Sequence, residues 1–352
     1  MSEIRVGIVG FGRMGRLRAQ VLSGLSPFRL MGVCDIEPGL PDNPEVPVYR
    51  DYRALLGSDI DAVIVSTPNH MNAEVTLAAL DQGKHVFCEK PPARSVEEMR
   101  RVLEAERRHP ALRLKYGFNH RYHEAVQEAG ARIASGRYGR LLWMRGVYGK
   151  SGGPGFQENW RNQRDYSGGG ILIDQGIHML DLFRLFGGDF VEARSFIQTA
   201  YWDIEVEDNA FVLLRSAAGP VAMLHSSATH WKHQFSLDIY LSEGYVQIDG
   251  ILTQSRSYGR ETLICASRNF AERRFSTGSP REEVTYFDQD ASWLLELEDF
   301  ARAIQEGRPI TIGNSTEALR TLELVEMIYR SDPSWSERAQ PSAVGLRGGG
   351  EP

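Results

Sequence analysis

The chain has 352 residues, 40 Lys and Arg against 46 Asp and Glu, a formal charge of −6, and 42% hydrophobic residues. That apolar content excludes disorder as the main state, and an acidic balance with no basic tract argues against a nucleic-acid partner. No run approaches the roughly 18 to 20 uninterrupted apolar residues of a membrane span, and the length suits about two domains. The N-terminus, MSEIRVGIVG, shows no basic-then-apolar leader. Cys34, Cys88 and Cys265 lie far apart without a CxxC pair, so a reducing cytoplasm is expected rather than a disulfide framework or zinc ribbon.

The first third alternates short apolar runs with helical patterns. Ile4 to Val9 reads as a strand, followed by a helix from Met14 that stops at Gly24. Strands are expected at Leu30 to Cys34, Ala62 to Val65, His85 to Cys88 and Leu112 to Tyr116, with helices near Asn72 to Leu80 and Val96 to Arg107. This alternation predicts a parallel sheet of βαβ units. The proline-rich stretch Glu37 to Pro47 reads as a loop. After Asn119 a helix is expected from Arg121 to Ser135, and then longer strands take over. These are Leu141 to Tyr148, Val191 to Tyr201, Ala210 to Arg215, Val221 to Ser227, Phe235 to Leu241 and Tyr245 to Ile248. Short links such as AAGP and SEG suit antiparallel hairpins. Two helices close the pattern, near Ser292 to Gln305 and Thr316 to Tyr329, ahead of a tail without apolar period. The expected organisation is a dinucleotide-binding domain over 1–119, a second α/β domain over 120–335, and a frayed tail over 336–352.

Gly10-Phe11-Gly12-Arg13-Met14-Gly15 matches GxGxxG directly after a strand and at the opening of a helix. The first glycine permits the tight turn, the second lets a pyrophosphate approach the backbone, and the third allows helix and strand to pack closely. The helix N-terminus adds its positive dipole. Asp35 ends the second strand twenty residues beyond the last glycine, where an acid binds the adenosine ribose hydroxyls. A carboxylate there repels a 2′-phosphate, so the expected cofactor is NAD rather than NADP.

Further motifs make the pattern specific: STPNHMNAEV at Ser66 to Val75, CEKPPA at Cys88 to Ala93, FNHRY at Phe118 to Tyr122, and GGGILIDQGIHMLDLF at Gly168 to Phe183. With GFGRMG they resemble the Gfo/Idh/MocA oxidoreductase family in order and spacing up to about residue 190. The resemblance implies an α/β fold: an N-terminal Rossmann domain, then a C-terminal α/β domain with a large, mostly antiparallel open sheet. It also implies an active site between the domains and a homo-oligomer, dimer or tetramer. By family pattern Lys90, Asp174 and His178 match the catalytic positions, with Lys90 also facing the cofactor. Thr67, Pro68, Asn69, His70 and Glu89 match positions near the nicotinamide and its ribose. The implied activity is NAD-dependent oxidation of a secondary alcohol, or reduction of a ketone, on a sugar, nucleotide sugar or cyclitol. An epimerase or glycoside-cleaving enzyme that oxidises only transiently is the nearest alternative, and a non-catalytic NAD(P)-binding regulator the next.

The residues suit that chemistry. Asp174 and His178 are spaced i, i+4, which on a helix over Ile171 to Phe186 puts them on one face. A histidine titrating near neutrality suits the proton step, and a lysine ammonium suits a developing alkoxide. Ser151 to Gly170 reads as a long glycine-rich loop of the kind that forms binding lids. In it Arg161 is expected to grip a substrate group and Trp160 to stack on a sugar face. Arg121 and Tyr122, near the expected cleft, are further candidates for substrate contact. His225, His230, Lys232 and His233 lack a metal-ligand spacing, and no metal is expected.

Overall fold

The computed structural model describes residues 3–36, 46–270 and 278–339. Of the expected proline-rich loop, residues 37–45 lie outside the described residues, as does 340–352 of the expected tail.

Six parallel strands form the first sheet. In chain order the elements are β1 (Ile4–Val9), α1 (Arg13–Ser23), β2 (Phe28–Cys34), β3 (Val48–Tyr49), α2 (Tyr52–Leu56), β4 (Ala62–Val65), α3 (Asn69–Asp81), β5 (His85–Cys88), α4 (Val96–Arg108) and β6 (Leu114–Tyr116). The spatial order is β3-β2-β1-β4-β5-β6, so the chain reverses direction across the sheet between β1 and β4. Both faces are covered, and the strands are accordingly near-continuous apolar runs: all four residues of AVIV in β4 are buried. The motif loop opens between β1 and α1, beside that reversal, where open α/β sheets bind their ligands.

The second sheet has eight strands. A short 3-10 turn (Asn119–Tyr122) and α5 (Glu124–Ala134) lead into β7 (Leu141–Gly149). A further 3-10 turn (Trp160–Asn162), α6 (Arg164–Ser167), a π-helical turn (Leu172–Gly176) and α7 (Ile177–Gly187) follow. Then come β8 (Phe190–Gln198), β9 (Asn209–Ser216), β10 (Val221–Ser227), β11 (Gln234–Leu241), β12 (Gly244–Asp249), β13 (Glu261–Ser267) and β14 (Glu283–Phe287). The order is β14-β13-β12-β11-β7-β10-β9-β8, antiparallel except where β10 runs parallel to β7. One face is packed by α7 and α9 (Ser315–Ser331). The other leaves a row of apolar side chains exposed, among them Trp143, Phe196, Leu213 and Met223.

Two features depart from the sequence expectation. The helix α8 (Ser292–Gln305) packs Leu297, Phe300 and Ala301 among Ile8, Phe28 and Phe87 of the first sheet rather than against the second. The expected tail is helical at its start: α10 spans Pro333–Ala339 with Trp335 buried, and Ser336 Oγ donates to Tyr329 O at 3.0 Å.

Candidate active site

The loop after β1 has the shape of an anion cradle. Gly10 adopts φ +86, and a Cβ there would lie 2.5 Å from Ser66 O. A Cβ on Gly15 would lie 2.0 Å from Gly10 O, which is the close packing of α1 on the turn. Gly12 is the opposite case, with nothing within 4 Å of its Cβ position. Gly12 also caps α1 without any side-chain hydrogen bond, and Arg13 and Met14 begin the helix, so its first amides have no side-chain cap. Asp35 points back to this turn, its Oδ2 accepting from Phe11 N at 2.6 Å. Arg50 Nη1 donates to the Asp35 carbonyl at 3.1 Å, which sets a basic side chain beside that acid.

Beyond the ends of β4 and β5 lies the second cluster. Three cations converge on one carboxylate there. Lys90 Nζ donates to the backbone carbonyl of Asp174 and lies 3.4 Å from its Oδ1. Lys150, one residue past β7, sets its Nζ 3.0 Å from Oδ2, and Arg161 Nε is 3.5 Å from Oδ1. Burial alone would raise the Asp174 carboxyl, but Lys150, Lys90 and Arg161 outweigh it and hold it well below the usual range. Burial pulls the Lys90 ammonium down, opposed by Asp174 and reinforced by Arg161 and Lys150. Lys150 went unnoticed in the sequence, where its only mark is its place between a strand and a glycine-rich loop.

Asp174 sits not on a regular α-helix but in the π turn that precedes α7. Such turns reshape a helix locally and recur at functional sites. His178, in the first turn of α7, is 5% exposed, and its Nδ1 has no hydrogen-bond partner among the described residues. Its ring stacks on His120 at 3.8 Å between centroids. His120 is held in turn by the Tyr148 hydroxyl at 3.1 Å and Asn119 Oδ1 at 3.2 Å. Burial first, then the Lys90 charge, keeps His178 well below the ordinary histidine range, and burial does the same for His120. His178 is therefore a neutral imidazole at pH 7, held below the near-neutral titration expected from the sequence because burial and Lys90 disfavour its charged form.

Other expected contacts are taken up by partners within the chain, several of them along the seam where α8 and α9 pack beside the first sheet. Arg121 is buried, gripping Asp181 through Nε and Nη2 at 2.7 and 2.6 Å and Glu317 through Nη1 at 2.6 Å, so two carboxylates rather than an open cleft hold its guanidinium. The Tyr122 hydroxyl donates to Asp299 at 2.8 Å and accepts from Lys115 Nζ at 2.7 Å. Glu89 pairs with the fully buried Arg18 at 2.6 Å, and Arg18 also meets Glu296 at 2.7 Å. Asn69 is buried and donates to Ser167 O at 2.8 Å, while Thr67 Oγ1 donates to Asn72 Oδ1 at 2.8 Å. Pro68 caps α3, and His70 meets Tyr166 edge-on at 4.7 Å.

The 151–170 segment is built rather than loose. It carries the Trp160–Asn162 turn and α6, and Arg94 Nη1 donates to Asp165 O at 2.7 Å. Arg164 donates to Glu205 twice, at 2.9 Å each. The Trp160 ring is covered on one face by the Arg161 guanidinium at 4.4 Å, so that face is not free for a sugar. His225 Nε2 lies 3.1 Å from Asn209 Oδ1, and His233 Nε2 lies 3.0 Å from Ser151 Oγ. Among the described residues no group of three or more His, Cys, Asp or Glu is placed to hold a metal ion.

Residues 4–118 match the family model described as "Oxidoreductase family, NAD-binding Rossmann fold", and residues 126–247 match the GFO/IDH/MocA C-terminal domain. Levoglucosan dehydrogenase of Pseudarthrobacter phenanthrenivorans is 27% identical, over 88% of this chain and 92% of the relative. D-glucoside 3-dehydrogenase of Escherichia coli is 27% identical, over 94% and 95%. A solved levoglucosan dehydrogenase in complex with NADH superposes with a TM-score of 0.82 at 22% identity, over 95% of this chain and 98% of that one.

Proposed function

We propose that this chain, which belongs to the Gfo/Idh/MocA family of NAD-binding oxidoreductases, moves a hydride to or from the CH–OH carbon of a secondary alcohol on a sugar or cyclitol. The observation that carries the reading is a buried, neutral His178 beside a lysine, Lys90, fixed on Asp174. The names of the relatives support the substrate class.

In this reading the cradle is fitted to NAD. The amides at Gly12 to Met14 would hold the pyrophosphate, Gly10 and Gly15 shape the turn, and Asp35 would bond the adenosine ribose hydroxyls. NAD supplies the hydride acceptor. The chain supplies the rest. The substrate hydroxyl lies between Lys90 Nζ and His178, and the imidazole takes its proton as the C–H electrons leave with the hydride. The O–H and C–H bonds break, C=O forms, and in reduction each step reverses. Lys90 donates to the oxygen as negative charge builds on it. Lys150 and Arg161 leave the cleft with more cations than Asp174 alone neutralises, which favours that charge in a partly dry site. Asp174 keeps the three cations in place.

The row of exposed apolar side chains on the second sheet suits a second copy of the chain. Met223 sits opposite Leu213, Phe211 opposite Phe196, and Trp143 stacks on Tyr240 at 4.2 Å, a continuous face of the kind homo-oligomers bury. Three buried, unpaired cysteines suit a reducing cytoplasm. No helix among the described residues is long and apolar enough to cross a membrane.

The test is a panel of sugars, nucleotide sugars and inositols with NAD, read by NADH absorbance. Formation of NADH with at least one of them, slowed about 10²-fold or more in His178→Asn, is the expected result. A folded protein that binds NADH and oxidises none of the panel overturns the dehydrogenase reading.

A further inference from the structure

A cavity of about 430 Å³ opens beside the cleft, lined by Phe156, Trp202 and Trp231 with Ser151, Gln157 and Glu158 among them. Nothing in the hydride chemistry uses it. We infer that it is an outer subsite for the second ring of a glycoside whose first ring is oxidised at Lys90 and His178. The inference rests on the function proposed above and extends it to a substrate class.

The aromatic platform is fixed in place. Trp202 Nε1 donates to Ala228 O at 2.9 Å, and the backbone amides of Tyr201 and Trp202 donate to the buried Asp208 carboxylate at 2.8 and 3.0 Å. A Cβ at Gly152, where φ is +74, would lie 2.5 Å from the indole, so the loop lies directly on Trp202 because glycine stands there. Phe156 packs on Trp202 at 5.0 Å, and Tyr201 meets both Trp202 and Trp231 edge-on at 5.1 and 5.0 Å. Asn162 holds the Phe156 carbonyl through its side-chain amide. Trp231 lines the cavity beside the fixed Trp202 and remains 64% exposed, an aromatic face left to water. A ring that lands there buries that face against a neighbour, Trp202, already held by its own hydrogen bonds.

The chemistry of the lining selects a pyranose. A sugar ring has an apolar C–H face that suits aromatic side chains and a rim of hydroxyls that needs donors and acceptors. Phe156, Trp202 and Trp231 supply the first, and Ser151, Gln157 and Glu158 the second. The volume lies within the range of small-molecule clefts. The link to the reacting centre is Lys150. Its Nζ is 3.0 Å from Asp174 Oδ2 and 5.4 Å from the centre of the Phe156 ring, and the next residue, Ser151, lines the cavity. A substrate of two linked rings spans from Asp174 across Lys150 to the platform, and a monosaccharide leaves the platform empty.

The experiment uses the full chain loaded with NADH and measures binding by calorimetry, with glucose, α- and β-linked glucobioses, and uridine as probes. We expect at least one glucobiose to bind about tenfold tighter than glucose. Trp231→Ala and, separately, Phe156→Ala should erase that advantage while glucose affinity stays within about twofold. A glucobiose advantage that survives both variants overturns the subsite, as does equal binding of one and two rings or no binding of either. Tighter binding of uridine than of any glucobiose, lost in Trp231→Ala, overturns it in favour of a nucleobase platform. Sedimentation of Trp231→Ala is run alongside, and a change of oligomeric state with no change in glucobiose affinity makes the face an interface instead. Failure of the dehydrogenase reading shows separately, as absence of NADH formation in a protein that still prefers two rings.

Discussion

The cleft and the seam are built from the same kinds of side chain with opposite imbalance. In the cleft Lys90, Lys150 and Arg161 surround Asp174, three cations on one acid. At the seam Arg18 lies between Glu89 and Glu296, and Arg121 between Asp181 and Glu317, two acids on each cation. The pKa consequences mirror each other. Asp174 is held well below the carboxylate range despite its burial, whereas burial pushes Glu296 up to about 7 in spite of Arg18. At the seam burial leaves Glu296 and Asp181 holding a proton more readily than free carboxyls do. In the cleft the surplus is positive, carried by Lys150 and Arg161 beside a Lys90 that burial pulls down. That charge is left for something that arrives, and the developing alkoxide is the natural partner.

The largest effect is expected in the cleft. His178→Asn and Lys90→Met should each lower turnover, by about 10² to 10⁴-fold for the base and about 10² to 10³-fold for the oxyanion donor. NADH affinity should hold, and the combined loss should fall short of the product because both groups act on one oxygen. Removing a surplus cation relieves repulsion, so Lys90→Met and Lys150→Met should unfold no earlier than wild type. A lowered thermal midpoint in both breaks the comparison.

The seam should respond in the other way. Arg121→Met leaves Asp181 buried without its partner, at a cost of about 3 to 5 kcal/mol, read by denaturant unfolding. Turnover per folded molecule should change little. A loss of turnover in a variant of unchanged stability would return Arg121 to the substrate.

Cofactor choice comes next. Charged bonds from Asp35 to ribose hydroxyls are worth about 1.5 to 3 kcal/mol, so wild type should prefer NAD over NADP by roughly 10 to 150-fold, and Asp35→Ser should narrow the gap. Equal affinities in the wild type would make Arg50, not Asp35, the controlling neighbour.

Two pH effects are smaller. His178 must be neutral to act, and its value is depressed, so kcat/KM should fall with acid only below pH 6.5. Burial raises Glu296 from the ordinary glutamate value of 4.5 to about 7, so the folded protein holds a proton that the unfolded chain releases over that interval. Stability should therefore decline as pH rises between those values, and Glu296→Gln should flatten that slope in melting curves.

How much of this was legible follows from the range over which each signal acts. The strands β1, β4 and β5 announce themselves in four to six adjacent residues, and the cradle glycines act on neighbours a few residues away. Lys90, Asp174 and His178 were identified through motifs, and the structure brings them together. Arg121 and Tyr122 were misplaced because their partners, Asp181 and Asp299, are 60 and 177 residues away along the chain. A local reading sees a cation or a phenol but not the acid it faces. Lys150 was missed for the same reason. The strands β13 and β14 were missed because one borders a polar stretch and the other is a half-exposed edge. The π turn at Leu172–Gly176 leaves no mark on hydrophobic periodicity, since Leu172, Ile173 and Gly176 are buried in it just as an α-helix would bury them.

The return of α8 to the first sheet governs how this protein is made. Leu297, Phe300 and Ala301 complete the core under Ile8, Phe28 and Phe87. Glu296 and Asp299 answer Arg18 and Lys115, which are fully buried, and Ile312 O accepts from Lys115 Nζ at 2.6 Å. A ribosome that has released only the first 120 residues has therefore delivered a nucleotide-binding sheet with an uncovered apolar flank and two buried cations short of partners. At about 5 to 20 residues per second, another ten seconds or more of synthesis pass before that cover emerges. In that interval the nascent chain is exposed to chaperones and to misassembly, and a fragment cut at residue 120 inherits the same open flank permanently.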